Sequence, residues 1–533
     1  MLSTFDWVVI AAYFVGVFAL AFGVARAERT RSTAQEYFLA GRHTGWFVIG
    51  ASLFASNIGS EHLVGLAGTG AATGLAVGQF EILASLILLL LGWVFVPFYV
   101  RSAVVTMPEF LERRYSPGAR AYLAAISILG YVLTKISVTI YAGGIVFEAL
   151  MGIDFWTGAL IVVAVTGVYT IFGGLRAVLY TDMLQMFVLI GGAIGVTVVG
   201  LNAVGGWSEL RASVPDEFFS VWRPADDPDF PWTGIVLGAP ILGIWYWCTD
   251  QFIVQRVLAA RDEDQARKGT VFAGFLKILP LFIFVLPGVI ATALANSGQL
   301  ELNRPDEALP VLVSTLLPVG LRGLVVAGLL AALMSSLSSV LNSCSTLVTW
   351  DIYGRLRPEA SQRQLVVVGQ VVTVVLVGVS LLWIPLMENI SGKLYQYMQS
   401  VQAYISPPIA AVFLLGIASK RVNGAGALAS LLAGFVLGMG RLVLELNKDA
   451  LGDGLLYAYA DLNFLHFAVL LFVICTLVLV GVSLATTAMG DMRLRGLTFQ
   501  TLGDEEMEPA HTTTKLWSVV LLLCVIAVWI VFR

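Results

Sequence analysis

Ser52-Leu53-Phe54-Ala55-Ser56-Asn57-Ile58-Gly59-Ser60-Glu61-His62 lies in the middle of an apolar run, 45–72, that is otherwise long enough to cross a bilayer. About 20 apolar residues span the hydrocarbon core. An ionised side chain at mid-membrane costs about 2.5–3.5 kcal/mol on insertion scales, so it needs a cavity or a partner. Ser and Asn compete for backbone hydrogen bonds, and glycine weakens a helix. The stretch therefore predicts a helix broken at the midplane. Such a break exposes carbonyl oxygens that can coordinate a cation, together with two half-helix ends. The competing reading is a polar seam between close-packed helices, but Asn57, Glu61 and His62 together exceed what packing needs.

The rest of the chain makes a membrane the natural setting. Of 533 residues, 58% are hydrophobic and only 12% charged. A soluble globular chain carries about 25% charged residues. The net charge of −4 offers no basic patch, so nucleic acid is not an expected partner. Cys248, Cys344, Cys475 and Cys524 each sit in an apolar run, which argues against a disulfide framework or a CxxC metal site. The run from Phe5 to Ala27 lacks a basic n-region, carries Asp6, and reads as a retained helix rather than a cleaved signal.

Fourteen spans are expected, numbered here in chain order: 5–27, 45–72, 75–100, 119–151, 154–173, 175–201, 232–258, 269–296, 321–353, 364–385, 393–418, 424–446, 461–487 and 516–532. Only Gly173-Gly174 separates spans 5 and 6. With the N-terminus outside, about 21 Lys and Arg fall on the cytoplasmic side, about 8 outside and two within spans, the asymmetry of the positive-inside rule. The cytoplasmic set includes Arg101, Arg113, Arg114, Arg256, Arg261, Arg493 and Arg495. Both termini and the loops 202–231, 297–320 and 447–460 are then extracellular or periplasmic, the acidic stretch Gly503–Glu508 is cytoplasmic, and the expected location is the plasma (inner) membrane. The whole of 1–533 reads as a single membrane domain.

Other spans break the apolar rule too. Span 3 opens with Gly78-Gln79-Phe80-Glu81, and a carboxylate there can accept two solute hydroxyls. Lys277 lies inside span 8, within reach of sharing a cavity with Glu81, each lowering the other's cost. In span 9, Ser335, Ser338 and Ser339 fall on one helical face beside Ser336, and hydroxyls suit a hard cation. Span 7 holds Trp245-Tyr246-Trp247-Cys248-Thr249-Asp250-Gln251, whose rings can stack on or close over a sugar. Span 11 holds Tyr395 to Gln402, where Gln399 offers both donor and acceptor. There is no HExxH, GxSxG or Walker A motif. An enzyme is not expected, and transport energy has to come from a gradient.

Several stretches resemble the sodium/solute symporter family: Ser52 to Thr69, Thr106-Met107-Pro108-Glu109-Phe110, Gly173 to Gln185, Trp245 to Arg256, Met334 to Tyr353, and Ser406-Pro407-Pro408-Ile409-Ala410-Ala411-Val412-Phe413. The likeness is strongest to the sodium/glucose cotransporter branch. It implies an all-α polytopic fold with a leucine-transporter-type core. That core is two inverted five-helix repeats, 45–201 and 232–418, with one helix before (5–27) and three after (424–533), and alternating access to a midplane site. It implies Na⁺ as the coupling ion and, residue by residue, a sugar site of Asn57, His62, Glu81, Lys277, Gln399, Tyr246 and Trp247. Tyr246 is the inner gate, and Leu66, Phe80 and Tyr395 the outer lid. A first sodium site takes backbone oxygens of Ala55, Ile58 and Ala332 with the Ser335 and Ser336 hydroxyls; a second takes Asp182, Ser338 and Ser339.

Two positions depart from the family's pattern. Gly243 replaces a polar sugar contact, removing a hydrogen bond and opening space, and Gln402 stands where animal glucose carriers have threonine. The expected function is sodium-driven uptake of a sugar such as glucose or galactose, with two ions. The alternatives are a sodium-linked sugar sensor that does not accumulate its ligand, or a symporter of inositol, sialic acid or another polar solute. For an acidic solute only Lys277 is at hand as a buried cation among these pocket residues. Oligomeric state is not legible in the sequence.

Overall fold

A computed structural model describes residues 2–28, 34–387, 394–448, 451–452, 454–501 and 511–533, and within them the chain is helical with no strand, only isolated bridges. Eleven segments are long and apolar enough to cross a membrane. The other three expected spans fall short of that length for a physical reason. Span 2 is divided into Trp46–Asn57 and Ser60–Thr73. Span 5 is the front of one continuous helix, Phe155–Val204, bent at Gly174. Span 7 is interrupted at Asp250.

The bend at Gly174 needs glycine twice over. Its φ is +56°, and a Cβ there would lie 2.7 Å from the Tyr37 carbonyl oxygen. Helix starts carry side-chain caps that satisfy otherwise orphaned N–H groups. Asp154 accepts from Thr157 N at 3.1 Å, Asp262 from Gln265 N at 2.7 Å, and Asn423 from Gly426 N at 3.0 Å.

Burial sorts the spans by depth. Span 9, in Leu321–Leu356, has 94% of its most apolar window inside the protein, against 22% for Thr4–Val24 and Thr512–Val531. Span 9 is therefore the central post and spans 1 and 14 are peripheral. Span 9 packs along the Phe155–Val204 helix and against span 2. The second half of span 2 lies tight against span 8, where a Cβ on Gly288 would fall 1.9 Å from the Ala67 oxygen. Outer faces carry apolar side chains such as Leu382 and Leu523, as lipid contact requires.

Three contacts join the ends of separate segments. Asp6, at the start of span 1, accepts from Gly320 N and Gly323 N at the start of span 9, at 2.7 and 2.9 Å. Val221 of the 202–231 loop donates to Phe532 O near the C-terminus, and Phe499 of the 13–14 connection donates to Ile417 O at the end of span 11. Each contact joins segments expected on the same face. Three arginines expected among the cytoplasmic charges, Arg114, Arg256 and Arg267, are instead buried. Arg114 binds the carbonyls of Gly416 and Ser419, and Arg256 lies inside the core.

Candidate functional site

The break in span 2 is made by two residues in extended backbone, Ile58 (φ −76°, ψ 97°) and Gly59 (φ −100°, ψ −174°). Gly59 N–H turns to His62 Nδ1 at 3.4 Å, so the Ala55 carbonyl loses its helical donor. The predicted break thus presents carbonyl oxygens on one side and the Asn57 and His62 side chains on the other.

On the second side lies a narrow cleft of about 80 Å³. Asn57, His62, Glu81, Tyr246, Trp247 and Gln399 all line it. Lys277 lies behind them, fully buried, donating to Asn57 Oδ1 at 2.5 Å and to Glu81 Oε2. His62 Nε2 stands 3.7 Å from the other Glu81 oxygen. Asn57 Nδ2 donates to the Tyr246 hydroxyl at 2.9 Å. All seven expected sugar-site residues are therefore in one connected group. The ammonium of Lys277 offsets the burial cost of the Glu81 carboxylate, as a buried charge requires, while the other Glu81 oxygen faces His62.

The gate residues are divided. Tyr246 lines the cleft, edge-on to Trp247 at 5.2 Å. Phe80 lines the cleft and packs against Phe230 and Phe464. Leu66 is fully buried and is not a lining residue. The Tyr395 side chain lies outside the described residues.

Lys135 of span 4 also lines the cleft, and the sequence reading did not single it out. It donates to the Tyr246 hydroxyl at 3.0 Å and lies 4.1 Å from the centre of that ring and 4.0 Å from that of Phe252. Its signal was available: Lys135 sits in an apolar run just as Lys277 does. It also corrects the expectation that Lys277 is the only buried cation at hand. Gly243 and Gln402 line the cleft as well, but the space expected at Gly243 is filled. A Cβ there would meet Ile87 Cγ1 at 3.0 Å.

On the first side of the break the neighbours are hydroxyls and a carboxylate. Ser336 Oγ donates to the Ser56 carbonyl at 3.1 Å, tying span 9 to the break between Ala55 and Ile58. Asp182 is wholly buried and accepts from Ser52 Oγ at 2.5 Å and Ser335 Oγ at 2.6 Å. Ala55, Ile58 and Ala332 are all buried in the same core. The two expected ion sets are one continuous network here, since Ser335 bonds to Asp182. Ser338 turns back to the Ser335 carbonyl at 3.0 Å.

Arg256 completes that network. Its Nε donates to Ser52 Oγ at 2.9 Å, its Nη2 lies 3.5 Å from Asp182 Oδ2, and it donates to Ser339 Oγ and the Phe252 carbonyl. Its flanks, Val254-Gln255 and Val257-Leu258, were the clue that it is not a loop charge. The helix that carries it starts at the Asp250 break, where Asp250 accepts from Phe252 N at 3.2 Å and from the Tyr131 hydroxyl. Both interrupted helices, spans 2 and 7, therefore meet at one place.

Residues 37–434 match the model of the "Sodium:solute symporter family". The chain is 40% identical to the sodium/glucose cotransporter 1 of Ovis aries, covering 94% of this chain and 82% of that one. It is 41% identical to the sodium/myo-inositol cotransporter of Mus musculus, covering 94% and 76%. A solved structure described as the substrate-bound outward-open state of a Na⁺-coupled sialic acid symporter superposes with a TM-score of 0.77 at 22% identity, covering 91% of this chain and 99% of that one. At that identity the likeness is one of fold.

Proposed function

The chain belongs to the sodium:solute symporter family, and from that membership we propose that it couples inward sodium movement to uptake of a sugar by alternating access. It is a multi-pass membrane transporter, and its coupling ion is Na⁺. Its work is transport rather than catalysis.

One observation carries the mechanism. The single break at Ile58-Gly59 serves two sites, because Ser56 carbonyl meets Ser336 on one side and Asn57 meets Lys277 and Tyr246 on the other. In this reading Na⁺ binds between spans 2 and 9, using the Ala55, Ile58 and Ala332 oxygens and the Ser335 and Ser336 hydroxyls. The ion fixes the loose ends of the break. That ordering positions Asn57 and His62 for sugar hydroxyls, alongside Glu81 and Gln399. The Tyr246 and Trp247 rings supply an apolar floor for the sugar ring. Movement of Tyr246 away from Asn57 and Lys135 then opens the inner path.

A second ion belongs at Asp182 with Ser338 and Ser339. It would have to share the carboxylate with Arg256, which already lies between Asp182 and Ser339. Each Na⁺ moving down 100 mV releases about 2.3 kcal/mol, enough for roughly 40-fold accumulation by voltage alone. Two ions would roughly square that.

The basic face is read as cytoplasmic, which sets both termini outside the plasma (inner) membrane. Inositol is the runner-up solute, favoured by the 41% likeness to a sodium/myo-inositol cotransporter and by the unusual Gly243 and Gln402. A panel of glucose, galactose, myo-inositol and sialic acid, offered to proteoliposomes under Na⁺, Li⁺, K⁺ or H⁺ gradients, tests the assignment. Hexose uptake driven by Na⁺ is expected; uptake indifferent to Na⁺ overturns it.

A further inference from the structure

On the face carrying most of the basic residues, four segments enclose a second cleft, of about 920 Å³. Arg101 closes span 3 there, Asp262 and Glu263 begin the helix that becomes span 8, and Arg113 ends the helix Met107–Arg114. The connection between spans 13 and 14 supplies Arg493 and Arg495.

The acids in this cleft are already engaged. Glu263 pairs with Arg101 at 3.2 Å and with Arg267. Asp262 caps Gln265 and lies 3.3 Å from Arg261. The arginines have capacity left over. Arg101 Nη1 is buried without a hydrogen-bond partner. Arg493 gives one hydrogen bond, to the Tyr115 carbonyl at 3.1 Å. Arg495 makes no hydrogen bond or ion pair with the described residues.

These guanidinium groups are not needed to hold the connection in place. Leu494 and Leu497 bury their side chains, Phe499 packs edge-on to Phe98 at 5.1 Å, and its N–H binds Ile417 O. Arg113 is taken up by Glu109 and the Ser102 carbonyl, so Arg101, Arg493 and Arg495 against two spent carboxylates leave the cleft positive. A guanidinium fork matches phosphate oxygens bidentately. The cleft also lies where spans 3 and 8 reach the membrane edge, the level of lipid headgroups. Met492, 96% exposed, and the half-exposed Phe499 stand beside the arginines and offer apolar surface to acyl chains.

We propose that this cleft binds the phosphate of an anionic phospholipid headgroup from the leaflet on that face. The lipid joins the 13–14 connection to the inner ends of spans 3 and 8. The sidedness rests on the basic face being cytoplasmic; the binding itself does not depend on the transport reading.

The test uses the full chain in nanodiscs of phosphatidylcholine alone or with phosphatidylglycerol, followed by native mass spectrometry of retained lipid. Preferential retention of phosphatidylglycerol is expected. Arg493→Gln with Arg495→Gln should weaken it about 30-fold, at roughly one order-of-magnitude step per one to two headgroup arginines. Arg357→Gln, a surface control whose guanidinium lies 3.9 Å from Glu359, should leave it unchanged. Equal retention of both lipids, or equal retention by the double variant, overturns the proposal. Thermal stabilisation by inorganic phosphate in neutral nanodiscs, with no gain from phosphatidylglycerol, assigns the cleft to a soluble anion and overturns the lipid assignment. Loss of sodium-driven uptake with lipid retention intact would bear on the transport reading alone.

Discussion

Two buried carboxylates flank the broken helix, and the protein treats them differently. Glu81 has a buried ammonium, Lys277, behind it and a cleft in front. Asp182 has a buried guanidinium, Arg256, and no opening; both side chains are 0% exposed. The first pair lies at the wall of a cleft. The second is closed around hydroxyls from spans 2 and 9. Charge pairing keeps each carboxylate tolerable in the membrane, but only the open one can meet an organic solute. The sealed one suits a bare ion. Changes on the two sides should therefore separate into solute effects and ion effects.

The largest break in this contrast is expected at Glu81→Gln. It leaves the buried Lys277 without a counter-charge, and losing one member of a buried pair costs about 3–5 kcal/mol. Uptake should fall by about 100-fold or more, measured with labelled hexose in proteoliposomes. Adding Lys277→Met should restore the amount of folded protein but not the uptake. Recovery of uptake in the double variant would show that the pair is merely structural.

Ser336→Ala works on the other side. The span 9 hydroxyl at the Ser56 carbonyl is lost, and the sodium concentration for half-maximal uptake should rise about tenfold. The sugar KM at saturating Na⁺ should stay within about twofold, because nothing in the cleft has changed. A sugar KM that moves as much as the sodium requirement would dissolve the distinction between the two sides.

Lys135→Met sits between the two. It removes one of the two donors holding Tyr246 and both cation–π contacts. A roughly three- to tenfold rise in sugar KM is expected, read from uptake at fixed saturating Na⁺. Lys135→Arg should keep most of the function, since it retains donors and stacks on rings. The smallest effect belongs to Gly243→Ser. Its new Cβ presses on Ile87, so the preference between glucose and galactose should shift by about threefold, measured as a ratio of initial rates.

Much of this arrangement was legible in the residues alone. The span 2 break declared itself through Asn57, Gly59 and His62 in an apolar run, and Glu81 and Lys277 stood out by the same rule. Lys135 and Arg256 obey that rule as well, but Arg256 stands close enough to the end of span 7 to read as a loop charge, and Lys135 has no second polar residue beside it in span 4 except Thr134. The interruption of span 7 at Asp250 gave a weaker signal. Aromatic residues around it keep the run apolar, and the break shows only when Asp250 is seen capping Phe252. Whether Ser335 serves one ion set or another was beyond the sequence, because helical spacing fixes a face and not the partner that faces it. The filling of the Gly243 space by Ile87 is likewise a matter of packing between spans 3 and 7 that no single span encodes.

Both sides of the comparison hang from one helix break, so sodium and sugar should bind as a linked pair. Linkage requires the effect to be reciprocal in binding free energy. The direct measurement is equilibrium binding of labelled glucose to the purified protein, with and without saturating Na⁺, alongside Na⁺ binding with and without glucose. The account predicts that each ligand tightens the other by the same factor, and that Ser336→Ala weakens Na⁺ binding while leaving that factor within about twofold. Glucose binding that ignores Na⁺ would contradict it.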